Sequence, residues 1–175
     1  MMQSMHPTRR WPVREVVVNR HIVPDTWVRF SPDQSEEGGD RLYRLEEWQE
    51  VRAQAREGRV GLWVETDQDP EALRPHLAEV ALIAIHIGSF TDGRGHSLGR
   101  LLREVYGYQG EIRAVGDVFQ DTVNDLERCG FNGFLPRPGE TPANLLRGLG
   151  LFSEAYQISV ERPEPLFRRR LSHGS

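Results

Sequence analysis

The chain contains no lysine, and all 22 of its basic residues are arginine. The absence of lysine excludes a lysine Schiff base, a lysine general base and the lysine of a phosphate-binding P-loop. Arginine remains available for planar, bidentate recognition of carboxylate, phosphate or sulfate-like anions. Among the permanently charged side chains, anion recognition in this chain therefore falls to arginine.

Cysteine and long apolar runs are also scarce. The single cysteine, Cys129, excludes an internal disulfide and a multi-cysteine metal site, and we expect it to be a buried core residue. No apolar run approaches the roughly 20 residues that a membrane span needs. No apolar stretch follows Arg9 and Arg10 as it would in a secretory signal. These absences predict a cytoplasmic protein without a membrane partner, and no metal site is predicted.

Length and charge bound the domain organisation. The 175 residues suffice for one domain with a substantial core. Both ends are basic while the net charge is −4, so the body is acidic, which argues against a nucleic-acid partner. We expect a disordered N-terminus over 1–14, a β lead-in and polar loop over 15–40, a single α/β domain over 41–158 and a basic tail over 159–175.

Apolar strands alternate with helical patterns along the main body, a spacing that favours parallel strands joined by right-handed crossovers. The predicted fold class is α/β, with a parallel sheet of about four βα units and a short N-terminal β lead-in. The sheet is either open and three-layered or half-barrel-like, because local periodicity does not say whether a sheet closes. The strands are expected at 60–65, 80–87, 111–115 and 131–135.

Capping residues mark three helix starts. Thr141 is expected to cap a last helix over 142–156. Asp117 with Gln120 three residues later resembles a capping box, so a helix is expected to begin there. A further helix is expected to start at Ser97, after a glycine-rich tract.

That tract, 90–97, follows the most apolar strand. Loops at strand ends are held by a rigid sheet, and α/β proteins build ligand sites there. Its glycines permit a close backbone approach, and Arg94 supplies a fork of donors. The tract is not a dinucleotide fingerprint, because Leu98 stands where the third glycine belongs, and it is not a P-loop. The alternative interpretation is that its polar residues only cap a turn and a helix. Its candidate ligand-binding residues are Thr91, Asp92, Gly93, Arg94, Gly95 and Ser97.

Loops that follow parallel strands emerge at one edge of a sheet. The segments 65–66, 88–96, 116–117 and 136–140 are therefore expected to lie together. Gly116, Asp117 and Asp121 join the candidate ligand-binding residues on this ground. Asp117 and Asp121 could act as paired carboxylates in acid–base or metal chemistry, but Asp117 is more simply a helix cap.

Arg113 is a further candidate, because it alternates with apolar residues in a central strand. A buried charge needs a partner. We expect Asp92, Asp117 or Asp121 to pair with it. The sequence favours neither of two roles for Arg113, a structural ion pair or a contact with a ligand.

Specific segments carry a family resemblance, and they are matched in order and spacing. They are Phe-Thr-Asp-Gly-Arg-Gly-His-Ser at 90–97, Arg-Leu-Leu-Arg at 100–103, Gly-Glu-Ile-Arg-Ala-Val-Gly-Asp-Val at 110–118 and Arg-Cys-Gly-Phe at 128–131. Over most of residues 42–157 the chain resembles the bacterial domain-of-unknown-function family 934. The chain departs from the family at three positions. His96 stands where the family usually has an aromatic residue, Thr122 where a glutamine is common, and Asn132 where an acidic residue is common.

The resemblance implies a place in sulfur metabolism, because the family's genes lie beside those of assimilatory sulfite reductase and its members are described as oxidoreductases on that ground. The leading hypothesis is an accessory protein of sulfite or sulfate reduction that binds a small anion or a phosphate-bearing cofactor of unknown identity. One alternative is a non-catalytic partner that docks to sulfite or adenylylsulfate reductase through an exposed aromatic residue, Trp27 or Trp48, and the basic tail. Another is a barrel-like lyase without a Schiff base, with Asp117 or Asp121 as its base.

Overall fold

A computed structural model describes residues 14–32, 39–54 and 58–151, and their strands form one sheet. The strands are β1 (Glu15–Val18), β2 (His21–Pro24), β3 (Val28–Arg29), β4 (Arg41–Tyr43), β5 (Val60–Glu65), β6 (Leu82–Ile87), β7 (Glu111–Gly116) and β8 (Gly133–Phe134). The helices are α1 (Leu45–Val51), α2 (Pro70–Leu73) with a 3-10 turn at Arg74–His76, α3 (Arg94–Arg100) with a π-helical continuation at Leu101–Val105, α4 (Val123–Arg128) and α5 (Pro142–Gly148).

The strand order is β2-β1-β8-β7-β6-β5-β4-β3. Strands β3 to β8 are neighbours in chain order and pair in parallel, whereas β1 pairs antiparallel with both β8 and β2. The α/β class is therefore confirmed. The sheet is mixed rather than purely parallel, because the β1–β2 hairpin of the predicted lead-in adds antiparallel strands to it.

The helices cover one face of this sheet. Right-handed crossovers between successive neighbours place every helix on the same side. The main core accordingly joins Ile83 and Ile85 of β6 to helix residues such as Leu98 and Leu126. The other face carries a separate apolar cluster without any helix residue, formed by Leu42, Leu82, Ala84 and Val115 with Trp27, Trp63 and Leu135. The sheet is therefore half-barrel-like and not three-layered.

A short segment crosses the helix-free face, and we call residues 25–27 the strap. It connects β2 to β3, which are the two edge strands of the sheet. In a flat sheet of this order β2 and β3 would lie about 34 Å apart. The chain from Pro24 to Val28 spans at most about 14 Å. The sheet must therefore curl around the strap, and its helix-free face is concave.

The turn between β1 and β2 joins them in an antiparallel hairpin. Asn19 and Arg20 adopt φ values of 50° and 66°, the left-handed pair that a two-residue hairpin with a right-handed twist requires. Arg20 is unusual there, because it is not a glycine. Its guanidinium binds the Glu127 carboxylate at 2.6 Å, and the Asn19 amide donates to the Asn132 carbonyl at 2.8 Å. These contacts tie the hairpin to the body.

The predicted helix starts are confirmed in one case and wrong in two. The Thr141 hydroxyl accepts from the Asn144 amide at 3.2 Å, as a cap of α5 should. α5 ends at Gly148, before the predicted end at 156, and residues 152–156 lie outside the described residues. The helix after the glycine-rich tract begins at Arg94 rather than Ser97. α4 begins at Val123 rather than near Asp117. No helix among the described residues is long and apolar enough to cross a membrane.

Candidate ligand site at the carboxyl ends of the strands

The loops after β6, β7 and β8 meet at one edge, as predicted from the parallel order. The carboxylate of Asp117, directly after β7, connects them. Its Oδ2 accepts from the Phe90 amide at 2.8 Å, and its Oδ1 accepts from Arg137 Nη1 at 2.8 Å. The loop after β5 reaches the same edge, since Thr66 Cγ2 would lie 3.5 Å from a Cβ on Gly95. Asp117 is thus a connector between loops and not a helix cap.

Arg94 is fixed by a carboxylate of its own loop. Its Nε and Nη2 donate to Asp92 at 3.0 Å and 2.8 Å, and its amide donates to the same side chain at 3.1 Å. The side-chain hydrogen bond from Arg94 is the main reason why the pKa of Asp92 falls to about 2. The Arg94 side chain is nevertheless 63% exposed. It is an oriented guanidinium that faces solvent.

Arg137 repeats this arrangement on the β8 loop. Besides its bond to Asp117, its guanidinium lies 3.9 Å from the ring centre of Phe119, a cation–π contact. Phe119 meets Phe90 edge to face at 5.5 Å. The hydrogen bond from Arg137, followed by that from the Phe90 amide, lowers the pKa of Asp117 below its usual value. The lowered pKa and the engagement of both carboxylate oxygens reduce the affinity of Asp117 for a proton, which makes it a poor general base.

The remaining tract residues have local contacts. The Gly93 carbonyl accepts from both the amide and the hydroxyl of Ser97, so this hydroxyl points at the backbone. Thr91 Oγ1 bonds Ser89 Oγ at 2.9 Å. Gly95 packs closely on Ile87, on the helix-covered side of the strand ends. Asp121 is exposed and makes none of these contacts.

Arg113 does not belong to this edge, and the prediction that Asp92, Asp117 or Asp121 pairs with it is wrong. Its Nη1 binds Asp25 of the strap at 2.8 Å, and its Nε binds Glu111 at 2.7 Å. Alternate residues of a strand face opposite sides, and Arg113 points to the concave face. Its side chain is only 4% exposed there. We call Asp25, Glu111 and Arg113 the arginine cluster.

A cavity of about 390 Å³ adjoins the arginine cluster at the N-terminal ends of β5 and β7, where Trp27 and Arg59 also line it. Arg59 is paired with Asp40 at 2.7 Å and lies 5.0 Å from the ring centre of Trp27. The charged side chains of this cavity thus have partners within the protein. Ends of this kind serve stability in barrel folds, whereas carboxyl ends carry function.

Sequence reasoning missed a second group on the concave face, at the carboxyl ends of β5 and β6. We call Arg29, Trp63, Glu65 and His86 the histidine cluster. His86 Nδ1 lies 2.7 Å from Glu65 Oε2, and Trp63 Nε1 donates to Glu65 Oε1 at 2.9 Å. The sequence did carry a signal for this group, because polar residues alternate with apolar ones at the ends of both strands. The structure adds that Glu65 and His86 are register partners. His86 alone reads as a core or edge histidine.

Two tryptophans proposed for docking are not exposed aromatic surface. Trp48 is 6% exposed in the main core, and Trp27 is half-buried beneath Arg59. The expectation for Cys129 is confirmed, because it is buried and lies 3.5 Å from Arg100 Nη2. The basic tail lies outside the described residues.

Comparison with known proteins gives one match. A family model described as bacterial protein of unknown function (DUF934) matches residues 61–167, a range that includes every segment on which the resemblance rests. The searches of curated proteins and of solved structures give no match.

Proposed function

Since this chain belongs to the bacterial DUF934 family, we propose that it is a cytoplasmic accessory protein of assimilatory sulfite or sulfate reduction. In this proposal it binds a small anion, or the phosphate group of a cofactor, at the carboxyl ends of its strands. The metabolic context comes from the family resemblance. The ligand class comes from the arginines at this edge.

One observation carries the proposal: two exposed guanidinium groups are each anchored by a carboxylate on the same edge. Asp92 holds Arg94, and Asp117 holds Arg137. A guanidinium has more N–H donors than one carboxylate occupies. The anchoring carboxylate therefore orients the group and leaves donors for an oxyanion. Because the orientation exists beforehand, less side-chain entropy is lost on binding.

The anchoring pairs also limit the affinity. Each arginine charge is balanced by its own carboxylate, so hydrogen bonds rather than net charge provide most of the attraction. Exposed charges at this edge are screened by salt. We therefore expect selective binding of tetrahedral or pyramidal oxyanions over chloride, with an affinity that depends moderately on ionic strength.

Calorimetric titration with sodium sulfite, sulfate and phosphate tests the proposal, at ionic strength held constant with chloride. We expect Arg94→Ala and Arg137→Ala each to weaken binding at least about tenfold, equivalent to about 1.4 kcal/mol. Arg128→Ala is the matched control, because Arg128 is an exposed arginine at the end of α4. Equal affinity in all variants, or no binding to the wild type, contradicts the proposal.

Complementation tests the metabolic context. A strain that lacks the gene should grow poorly with sulfate or sulfite as its sulfur source and normally with cysteine. The wild-type gene and Arg128→Ala should restore growth, and Arg94→Ala should not, although it is folded. Normal growth of the deletion strain on sulfite argues against a role in sulfite assimilation.

Docking to sulfite or adenylylsulfate reductase is the second candidate, favoured by Phe90. This side chain is 54% exposed on the candidate edge, and exposed aromatic residues are typical of protein interfaces. Co-purification with either reductase that survives Arg94→Ala but fails with Phe90→Ala would favour docking. The barrel-like lyase alternative needs a base other than Asp117, because both oxygens of that carboxylate are engaged.

A further inference from the structure

The histidine cluster fixes a carboxylate by two donors. Trp63 Nε1 occupies Oε1 of Glu65, and His86 Nδ1 occupies Oε2. Burial raises the pKa of the Glu65 carboxyl, but the hydrogen bonds from Trp63 and His86 outweigh it, so the pKa lies below its usual value. Glu65 is therefore an acceptor only, and both of its oxygens are engaged.

This carboxylate determines the tautomer of His86. An ionised carboxylate can only accept, so Nδ1 of His86 must carry the proton in their 2.7 Å hydrogen bond. In the neutral imidazole the lone pair then lies on Nε2. Nε2 has no hydrogen-bond partner within the part of the chain that the structure describes. His86 therefore offers a free basic nitrogen with a fixed orientation.

Planar groups hold the ring in place. The His86 ring stacks on Trp63 at 5.4 Å between centres, and the Arg29 guanidinium lies 4.5 Å from the centre of the same indole. Arg29 comes from β3 and His86 from β6, on either side of β5. The Trp63 indole is therefore in contact with both groups and supports the His86 ring. Arg29 and Trp63 are positioning residues for this histidine.

The free nitrogen lies close to the candidate edge. A Cβ added to Gly116 would lie 2.8 Å from Cδ2 and 3.1 Å from Nε2 of His86. Gly116 has a φ of +96°, a conformation that glycine adopts without a Cβ penalty. The next residue is Asp117, which connects the loops of the candidate site. The His86 ring thus packs against Gly116 and lies next to the loop that carries Asp117. The His86 side chain is 37% exposed, so a small molecule at the ligand edge can reach it.

We propose that Glu65 and His86 form a general-base dyad, in which His86 Nε2 takes a proton from an O–H group of a small oxyanion bound at the strand ends. The ligand O–H bond breaks, the proton forms an N–H bond at Nε2, and its electron pair stays on the ligand oxygen. The resulting imidazolium is balanced by the Glu65 carboxylate, which stays ionised. The dyad follows from the geometry alone, whereas the oxyanion as proton donor depends on the proposed function.

The arrangement is that of a base oriented by a third group. A carboxylate on the far ring nitrogen selects the tautomer and stabilises the charged ring, as in hydrolase triads. The other charged groups near Glu65 are Arg29 on β3, with Arg44 at the start of α1. A guanidinium is always protonated, and both oxygens of Glu65 are engaged, so His86 is the group of the cluster that can accept a proton from a ligand.

Nitrogen-15 NMR of the imidazoles tests the dyad on the free protein, because protonated and unprotonated ring nitrogens have well-separated shifts. His86→Gln assigns the signal, and His21→Gln, at an exposed position in β2, is the control. We expect the neutral His86 ring to carry its proton on Nδ1 and none on Nε2. Glu65→Ala should remove this preference. A wild-type His86 with its proton on Nε2 overturns the dyad.

Titration of the same sample with sodium sulfite, and separately with sodium phosphate, tests the donor class. We expect the Nε2 signal to move to its protonated position at saturation, and not to do so in Glu65→Ala. Arg94→Ala should shift the midpoint of this change without altering the tautomer of the free ring. If calorimetry finds binding that depends on Arg94 while Nε2 stays unprotonated, the oxyanion is not the proton donor. If no anion binds while the Nδ1–H tautomer persists, the proposed function fails and the oxyanion donor fails with it, but the dyad stands.

Discussion

The concave face carries two groups of charged side chains that differ in how completely they are satisfied. In the arginine cluster, two carboxylates bind one guanidinium that is 4% exposed, beneath the strap. In the histidine cluster, one carboxylate binds an indole N–H and an imidazole, and both ionisable partners are more than a third exposed. The first group has its charges paired inside the protein, and the second leaves Nε2 of His86 open.

This difference separates a stabilising role from a chemical one. A buried charge that loses its partner is strongly destabilising, because the remaining charge has neither water nor a counter-ion. An exposed pair contributes little to stability, because water screens it. The location agrees with this division, since functional groups of barrel-like folds gather at the carboxyl ends of strands. Substitutions should therefore affect stability at the arginine cluster and ligand chemistry at the histidine cluster.

The largest expected effect is on Arg113. We expect Arg113→Ala to lower the free energy of unfolding by about 3–5 kcal/mol, because Asp25 and Glu111 remain buried without their cation. Urea unfolding followed by tryptophan fluorescence measures this. Arg147→Ala, on the exposed side of α5, should change stability by no more than about 0.5 kcal/mol. A loss below about 1 kcal/mol for Arg113→Ala would remove the contrast between the two clusters.

The packing of the strap gives the next effect. A Cβ on Gly61 would lie 2.9 Å from Leu42 Cδ2 and 3.0 Å from Trp27 Cζ3. Gly61→Ala should therefore overpack the concave face and cost about 1–3 kcal/mol. Gly93→Ala is the matched control, since nothing lies within 4 Å of its Cβ position and its φ is −73°. Equal stability of the two variants would mean that the strap does not pack tightly on β5.

Acid should weaken the strap through Asp40, which accepts from Arg59 and from the Thr26 hydroxyl. The hydrogen bond from Arg59 is the main cause of an Asp40 pKa of about 2. A carboxyl with a lowered folded pKa stabilises the protein at neutral pH, and this is lost as the pH falls from about 4 towards 2. Asp40→Asn should be about 1 kcal/mol less stable than wild type near neutral pH. Urea unfolding at several pH values should show this gap closing near pH 2, and a constant gap contradicts the assignment.

The smallest expected stability effect belongs to the histidine cluster. Glu65→Gln should change the free energy of unfolding by less than about 1 kcal/mol, because the pair with His86 is exposed to solvent. The same urea titration compares it directly with Arg113→Ala. A loss as large as that of Arg113→Ala would give Glu65 a structural role and argue against its assignment to the dyad.

Individual residues show which structural features the sequence patterns predicted correctly. β5 has the predicted bounds, and Thr141 caps the helix it was expected to cap, because apolar alternation and capping are local properties. Asp117 has the sequence signature of a cap but binds Phe90 and Arg137 instead. Its partners come from other loops and could not be identified from neighbouring residues. The ligand-binding role of the candidate residues stays a prediction.

The sequence alone determined the alternation of strands and helices from β5 to α5, the absence of lysine chemistry and the meeting of the loops at one edge. Each of these follows from local periodicity, composition or the rule that parallel strands end on the same side. The tertiary structure decided that the sheet curls around the strap, so that Asp25 reaches Arg113 across 88 residues of sequence. It also decided that Glu65 fixes the tautomer of His86, because strand register and side-chain distance, rather than local pattern, bring these two groups together.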